Sequence, residues 1–280
     1  MKISIITASY NYEDFIKETI ESILAQAYSD WELIIVDDGS SDNSLDVIES
    51  YARRDRRISL FTHPNNINRG LIETVKLGLS HAAGDYIAFL ESDDIWCPTH
   101  LEDKINVLKS YPEVGLIFNS VEMFGDEKTM REYDKYFELL RKILGKITFP
   151  TNIFNFMLLI NLMPTFSCVM VKKEAILGCS FDNLYGPWLD WGLWLQIAYR
   201  YNFYYLPKNL TKWRMHPKSY INISDKIKRK NNQILRSVAE NIFKAESNSF
   251  KKTVLTNFYF TALIILKITK GLIKKLFLVL

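Results

Sequence analysis

The chain has 280 residues, of which 48% are hydrophobic and 24% charged, and its formal net charge is +3. Its three cysteines are a sparse, odd-numbered set without metal-ligand spacing, which argues against a disulfide framework or a zinc site and predicts reduced thiols. The small net charge hides an asymmetry. Residues 225–280 hold twelve basic and three acidic residues, a balance of +9, which leaves −6 for residues 1–224.

Predicted strands and helices alternate along the first 120 residues, where short apolar runs are followed by apolar residues at helical spacing. The predicted strands are Ile3–Thr7, Leu33–Val36, Ile58–Thr62, Tyr86–Leu90 and Val114–Asn119. The predicted helices are Phe15–Gln26, Leu45–Arg53, Leu71–Ala82 and Thr99–Ser110. This alternation favours an α/β fold with a mostly parallel sheet and helices on both faces.

The pattern is less regular from residue 121 to a composition change near Ser224. The predicted elements there are a charged helix at 126–144, strand Val169–Lys172, an aromatic-rich helix at Trp188–Tyr201 and strand Phe203–Leu206. Arg214 and His216 are expected on a loop that precedes the basic tail. His63, His81 and His100 are expected at the surface or at helix ends.

Three of the predicted strands end in polar or acidic residues. The first is followed by Ala8, Ser9 and Tyr10, the second by Asp37 and Asp38, and the fourth by Glu91, Asp93 and Asp94. Ligands of open α/β sheets bind beyond the carboxyl ends of the strands. The three segments are therefore expected to meet in one crevice.

The carboxylates of Glu91, Asp93 and Asp94 would repel one another unless a cation lies among them. Mg²⁺ or Mn²⁺ held by one or two carboxylates commonly takes its other ligands from phosphates and water. The cluster therefore suggests a site for a metal-bridged phosphate ester. An alternative stays open for this segment alone, since acidic residues after strands also cap helices, as Ser92 or Asp94 could.

The runs at residues 5–11, 36–42 and 83–94 together resemble family-2 glycosyltransferases. The resemblance implies the GT-A fold, which is Rossmann-like, and inverting transfer of a sugar from a nucleotide-sugar donor. It is strong over residues 1–120, weaker to about 222, and absent from the tail. It predicts a domain at 1–224, with a nucleotide-sugar half (1–120) and an acceptor half (121–224), followed by a basic, apolar helical tail (225–280).

The resemblance implies roles for residues at the first two strand ends. The ring of Tyr10 would lie on the nucleotide base, which Ala8 and Ser9 would approach through their backbone. Asp38 would accept a hydrogen bond from the base edge, and the Tyr10–Asp38 pair favours uridine. Lys76 stands beside the position where many relatives carry arginine, so either it replaces that positive charge or the contact is missing.

The resemblance also implies how the diphosphate and a metal would be held. Asp93 would lie near the ribose and diphosphate, and Asp94 would be the principal ligand of Mn²⁺ or Mg²⁺, with Asp93 beside it. His216 could add a metal ligand or a phosphate contact, and Arg214 could clamp phosphate. A surface loop without such a role is the alternative for these last two residues.

Asp190 is the well-placed carboxylate for the catalytic base that the resemblance implies, and it would take a proton from the acceptor hydroxyl. The alternative is that Asp190 caps a helix. Trp188 and Trp191 flank it and could stack on a sugar ring, although burial in the core is an equally good explanation.

The last stretch, 251–280, combines bulky apolar residues with lysines, which predicts a basic amphipathic helix in peripheral contact with a membrane. A core helix with a solvated lysine edge is the alternative, and the apolar content argues against nucleic acid. The chain begins with a predicted core strand and no signal peptide. The expected location is therefore cytoplasmic, on the inner face of the cell membrane.

The resulting prediction is a metal-dependent, inverting glycosyltransferase. Its donor would be a nucleotide sugar, UDP-linked, and its acceptor a saccharide or lipid-linked hydroxyl in cell-surface polysaccharide synthesis. The alternative is an inactive member of the same fold that binds nucleotide sugars or scaffolds a membrane complex. A pyrophosphorylase is disfavoured because no Gly-rich loop bearing Arg and Lys follows the first strand, and a dehydrogenase because no G-x-G-x-x-G does.

Overall fold

A computed structural model describes residues 1–158, 160–181 and 188–217, and the predicted tail at 225–280 lies outside them. The strands are β1 (Ile3–Ser9), β2 (Trp31–Asp37), β3 (Ile58–Thr62), β4 (Tyr86–Phe89), β5 (Ile95–Trp96), β6 (Val114–Gly125), β7 (Val169–Lys172) and β8 (Asn202–Met215). The helices are α1 (Ile16–Leu24), α2 (Ser44–Ala52), α3 (Leu71–His81), α4 (His100–Ser110), α5 (Glu127–Leu144), α6 (Phe154–Met157), α7 (Lys173–Leu177) and α8 (Leu189–Ala198). Short 3₁₀ turns lie at Pro64–Asn66 and Phe166–Cys168.

The strands form one mixed sheet in the order β3-β2-β1-β4-β7-β6-β8-β5. Strands β3, β2, β1 and β4 are parallel, which confirms the α/β alternation predicted for the first half. Strand β7 runs antiparallel to both β4 and β6, while β6 and β8 are parallel. Because β7 runs against its neighbours, it begins at the edge of the sheet where β1, β2 and β4 end.

The core lies on both faces of this sheet because successive side chains of a strand point to opposite faces. On one face Ile6, Ile34 and Phe89 pack with apolar residues of α3 and α8. On the other face Ile5 and Leu33 pack with apolar residues of α1 and α4. Helices thus cover both faces, and the polar ends of the parallel strands are left to form a crevice.

Strands β6 and β8 are longer than their apolar runs indicate. The prediction ended them at Asn119 and Leu206, where polar residues begin, yet they pair onward to Gly125 and Met215 with shifts of register. Arg214 is therefore part of a paired strand, and the prediction of a loop there was wrong. Strand pairing satisfies the backbone of this polar stretch, which hydrophobic periodicity cannot report.

None of the helices in the described part of the chain combines the length and the apolar character needed to cross a bilayer.

Candidate functional site

The loop after β4 carries a buried acidic cluster. The Asp94 side chain is fully buried, its Oδ1 accepts a hydrogen bond from the Arg214 backbone N–H (2.9 Å), and its Oδ2 lies 3.2 Å from the Thr165 hydroxyl. The same hydroxyl donates to Glu91 Oε2 (2.5 Å). Burial and the charge of Asp93 raise the pKa of Glu91 to about 8, and burial with the charges of Asp93 and Glu91 raises the pKa of Asp94 well above its usual range. The cluster therefore resists full ionisation of its carboxyl groups, and a bound cation would favour their charged form.

Asp93 is paired with the histidine that follows β8. His216 Nε2 lies 3.0 Å from Asp93 Oδ2. The imidazole packs on Phe15, with ring centroids 4.7 Å apart, and meets Tyr12 edge-on at 5.9 Å. The structure thus brings His216 to the Asp93–Asp94 pair, although His216 follows the two aspartates by more than 120 positions in sequence.

Arg214 links this acidic loop to the end of β8 by hydrogen bonds. Besides the bond from its N–H to Asp94, its Nε donates to the Asp93 carbonyl (2.8 Å), and its guanidinium pairs with Glu18 of α1. The guanidinium carbon lies 4.8 Å from the ring centre of Phe15 and 4.4 Å from that of Phe124. Arg214 therefore positions the loop, and its predicted contact with phosphate stays a prediction.

The ends of β1 and β2 form the neighbouring wall. Ser9 is buried, and its carbonyl accepts a hydrogen bond from the Asp38 N–H (2.8 Å), whereas the Tyr10 side chain is 45% exposed and Ala8 is half-buried. The Asp38 carboxylate accepts hydrogen bonds from the backbone N–H groups of Arg69 (2.7 Å) and Gly70 (2.9 Å). The Tyr10 ring is thus available for stacking, while Asp38 holds the loop before α3, and its contact with a base stays a prediction.

The predictions for Lys76, His63 and His100 had different outcomes. Lys76 lies on the exposed side of α3, where its Nζ donates to Glu73 (2.8 Å), and none of the hydrogen bonds in the described residues joins it to the acidic cluster. His63 and His100 are buried, so a surface position was wrong for both, whereas the alternative of a helix end holds: His63 is the N-cap of the 3₁₀ turn at Pro64–Asn66, and His100 is the first residue of α4. His63 bonds Thr74 of α3, and His100 bonds the carbonyl of residue 210, which gives each ring a partner that local sequence does not show.

Asp190 is the second residue of α8. The N-cap of this helix is Trp188, so the capping alternative for Asp190 is not what the structure shows. Burial raises the pKa of Asp190 to about 6, and the Asn161 side-chain amide donates to its Oδ2 (2.9 Å). The charge of Asp190 in turn contributes to the raised pKa of Glu91, which places Asp190 within electrostatic reach of the acidic cluster.

The tryptophans beside Asp190 belong mainly to the protein interior. Trp191 is buried, and its Nε1 donates to the Met157 carbonyl (2.8 Å). Trp188 is half-buried and meets Trp191 edge-on, with centroids 6.3 Å apart. Core packing accounts for Trp191, and Trp188 keeps a partly exposed surface.

Sequence reasoning missed two residues of the cluster, Thr165 and Tyr12. Thr165 lies in an irregular segment, so no periodicity marked the hydroxyl that joins Glu91 and Asp94. Burial and the charges of Asp93, Glu91 and Asp94 raise the pKa of Tyr12 far above its usual range, and the Tyr12 ring meets that of His216. An aromatic residue just after a polar strand end was the available signal for Tyr12.

The donor set suits a divalent metal that is shared with a substrate. No three Asp, Glu, His or Cys side chains in the described ranges surround one point as in an all-protein metal cage. Mg²⁺ sites on nucleotides need only one or two carboxylates, because phosphates and water complete the coordination, and Mn²⁺ prefers the same oxygen ligands. Asp94, Asp93 and His216 offer carboxylate oxygens and an imidazole beside mutually repelling acids, and these residues fit such a metal.

Residues 4–176 match the family model described as glycosyl transferase family 2, which covers more than half of the chain. The chain belongs to this family. A beta-1,3-glucosyltransferase of Escherichia coli, WfgD, named for a UDP-Glc donor and a GlcNAc-diphosphoundecaprenol acceptor, is 32% identical over 195 residues, which are 70% of this chain and 69% of WfgD. An uncharacterized glycosyltransferase of Nostoc is 37% identical over 132 residues, 46% of this chain and 40% of that protein. The family-2 chain thus spans well under half the length of the Nostoc relative it matches.

Solved structures share the fold of this family-2 chain at low sequence identity. The S. aureus TarS fragment 1–349 aligns with a TM-score of 0.68 at 18% identity, covering 97% of this chain and 74% of TarS, and TarS has also been solved with UDP-GlcNAc. Glucosyl-3-phosphoglycerate synthase from Mycobacterium tuberculosis, solved with Mn²⁺, UDP and glucosyl-3-phosphoglycerate, aligns with a TM-score of 0.60 at 18% identity, covering 85% of this chain and 79% of that chain. These likenesses show the GT-A fold.

Proposed function

We propose that this chain is a metal-dependent, inverting glycosyltransferase that moves a sugar from a UDP-linked donor to a hydroxyl of a saccharide or lipid-linked acceptor in cell-surface polysaccharide synthesis. One observation carries the proposal: the Asp93–Asp94 pair follows β4 at the carboxyl ends of the parallel strands, where the Thr165 hydroxyl lies within hydrogen-bond distance of both Asp94 and Glu91, and the charge of Asp190 of α8 acts on Glu91. The name of the E. coli relative and the ligands of the two solved structures support the donor class and the metal.

In the proposed complex the donor lies across the ends of β1, β2 and β4. The exposed Tyr10 ring would face the nucleotide base, and the diphosphate would point toward Asp93, Asp94 and His216. A bound Mn²⁺ or Mg²⁺ would act there as a Lewis acid that offsets the charge on the departing diphosphate. The buried Asp94 is held by the Arg214 N–H, so its position is fixed before substrate arrives.

Asp190 would act as the general base. Its carboxylate takes the proton of the acceptor hydroxyl as the oxygen bonds to the anomeric carbon, and the bond from that carbon to the diphosphate oxygen breaks with its electron pair. Attack from the face opposite the diphosphate inverts the anomeric centre in a single displacement. A pKa of about 6 leaves Asp190 ionised near neutral pH while keeping it a useful proton acceptor.

The test is release of nucleoside diphosphate by the purified full chain. UDP-glucose, UDP-N-acetylglucosamine, UDP-galactose and GDP-mannose are each incubated with Mn²⁺, with Mg²⁺ or with chelator. We expect metal-dependent release of UDP from at least one UDP-sugar, and slower release from GDP-mannose. Absence of both binding and release for every donor in either metal would contradict the proposal and leave the inactive scaffold as the better description.

If the acceptor is lipid-linked, the basic tail is expected to bind the membrane surface. Residues 251–280 combine apolar residues with lysines, and such a segment binds anionic lipid surfaces. The full chain should sediment with vesicles that contain anionic phospholipid, and less with neutral phosphatidylcholine vesicles or at high salt. A truncation at residue 224 should lose this binding, and equal sedimentation of the two chains would contradict membrane contact through the tail.

A further inference from the structure

Two asparagines hold helix α8 at its opposite ends with the same local geometry. Asn161 Oδ1 accepts the N–H of Met163, two residues later (3.2 Å), and its Nδ2 donates to Asp190 at the start of the helix (2.9 Å). Asn152 Oδ1 accepts the N–H of Phe154, again two residues later (3.0 Å), and its Nδ2 donates to the Ala198 carbonyl at the end of the helix (2.5 Å). The two side chains differ in their acceptors: Asn161 donates to a carboxylate, and Asn152 donates to a backbone carbonyl.

We propose that Asn161 is a positioning residue for the proposed catalytic base, holding Asp190 Oδ2 by its amide so that Oδ1 faces the acceptor hydroxyl. This inference rests on the proposed function. The inference adds to the proposed function a group that fixes the orientation of the base, in the way that a third residue orients the base of a nucleophile–base pair.

The hydrogen-bond network determines which end of the Asn161 amide faces Asp190. An amide oxygen can only accept and an amide nitrogen can only donate. Because Oδ1 accepts from the Met163 N–H, the nitrogen is the atom turned toward the carboxylate. The Tyr136 hydroxyl of α5 donates to the Asn161 carbonyl (2.8 Å), so both the backbone and the side chain of this residue are anchored.

The bond from Asn161 also favours the ionised form of the base. A donor to a carboxylate lowers its pKa, and here that effect opposes the upward shift that burial causes. The titratable groups that share electrostatic contact with Asp190 are Glu91 after β4, Tyr136 of α5 and Cys168 of the 3₁₀ turn, each of which has a raised pKa. None of these groups carries a positive charge, so the carboxylate is stabilised by the N–H of Trp191, by the Asn161 amide and by the N–H of Asp190 itself.

The experiment compares Asn161→Ala with Asn152→Ala in the full chain. The readout is UDP release with Mn²⁺ from the active UDP-sugar of the donor panel, followed as kcat, donor KM and the pH dependence of kcat. Both variants lose an anchor of α8, so both should lower the melting temperature. Asn161→Ala alone should lower kcat, on the order of tenfold to a hundredfold, with donor KM unchanged. Its rise of kcat with pH should move to higher pH.

A third variant separates orientation from folding. Asn161→Asp keeps an oxygen for the Met163 N–H but turns a second oxygen toward Asp190, so we expect a folded chain with at least as large a loss of kcat. Equal loss of kcat in Asn161→Ala and Asn152→Ala, or an unmoved pH profile in both Asn161 variants, would overturn the inference. If the unmodified chain itself releases no UDP, the proposed function has failed, and that outcome is distinct from an active chain whose Asn161 variants are also active.

Discussion

Asp190→Asn should lower kcat by about 10²–10⁴-fold, the usual contribution of a general base, with little change in donor KM. Asparagine has nearly the shape of aspartate but cannot take a proton from the acceptor hydroxyl. The carboxylate lies on α8, in the predicted acceptor half, and the proposed donor contacts lie at β1, β2 and β4. Binding of UDP-sugar, measured by calorimetry, should therefore survive the substitution.

The pH dependence of the unmodified chain follows from the same group. The base works only when ionised, and burial raises the pKa of Asp190 to about 6. The rate should therefore fall as pH drops through about 6, a higher value than an exposed aspartate would give. The measurement is kcat at saturating donor between pH 5 and 8.5 with constant Mn²⁺.

Asp46→Asn is the matched control for Asp190→Asn. Asp46 is also an acidic residue in the first turn of a helix, α2, and it is exposed. The control removes the same favourable interaction with a helix N-terminus without touching the crevice. Loss of kcat in both variants, or an Asp190→Asn chain that keeps more than about a tenth of the parent rate, would mean that Asp190 is not the base.

Asp94→Asn should remove metal-dependent turnover and, in chelator, leave the fold at least as stable as the parent. Lewis-acid stabilisation is worth several kcal/mol, so a fall in kcat of at least about 100-fold is expected. The stability effect has the opposite sign because Asp94 is buried among Glu91 and Asp93, whose charges raise its pKa. A neutral amide removes part of that repulsion and keeps an oxygen for the Arg214 N–H.

Titration of Glu91 predicts how the stability of the parent and Asp94→Asn chains depends on pH. The folded-state pKa of Glu91, about 8, lies above its ordinary value of 4.5, so the folded chain binds its proton more tightly than the unfolded chain. Stability from this group is full below pH 4.5 and is lost as pH rises toward 8. Melting temperatures in chelator should therefore fall over this range, and less so in Asp94→Asn.

Metal binding supplies the contrasting readout for Asp94→Asn. Mn²⁺ should raise the melting temperature of the parent chain in the presence of UDP, because a ligand that binds the folded state stabilises it. The same addition should have little effect on Asp94→Asn. Equal stabilisation of the two chains by Mn²⁺ and UDP would show that Asp94 is not the principal metal ligand.

The crevice at the strand ends could be predicted from sequence because its residues follow apolar strands directly. The strands that end near Ser9, Asp37 and Leu90 are marked by local hydrophobic runs, and parallel pairing brings their ends to one edge. The acidic loop and the family resemblance therefore led to the same crevice. The direction of β7 was not predictable, since a strand of four residues, three of them apolar, carries no information on which way it runs.

The remaining contacts join segments that no local pattern connects. Arg214 was recognised as a charged residue near the site. Its strand pairing, however, is with Phe124, 90 positions earlier, and its bonds to Asp93 and Asp94 join residues about 120 positions apart. Asn161 and Thr165 lie in an irregular stretch where neither helical nor strand periodicity exists. Polar side chains that act by orienting another side chain become visible only when both ends of the bond are in place.

Arg214 and His216 are far in sequence from the acidic residues that they contact, and this separation has a consequence for biosynthesis of the chain. Asp94 is bonded by the backbone N–H of Arg214, and Asp93 pairs with the imidazole of His216, and both partners lie about 120 positions later in the chain. Glu18 pairs with the Arg214 guanidinium, 196 positions later. Contacts of such sequence separation form late in folding. While the ribosome is still making the segment before β8, the acidic loop lacks these partners. The hydrogen bonds that hold the acidic loop of a nascent chain are therefore complete only after His216 has been made.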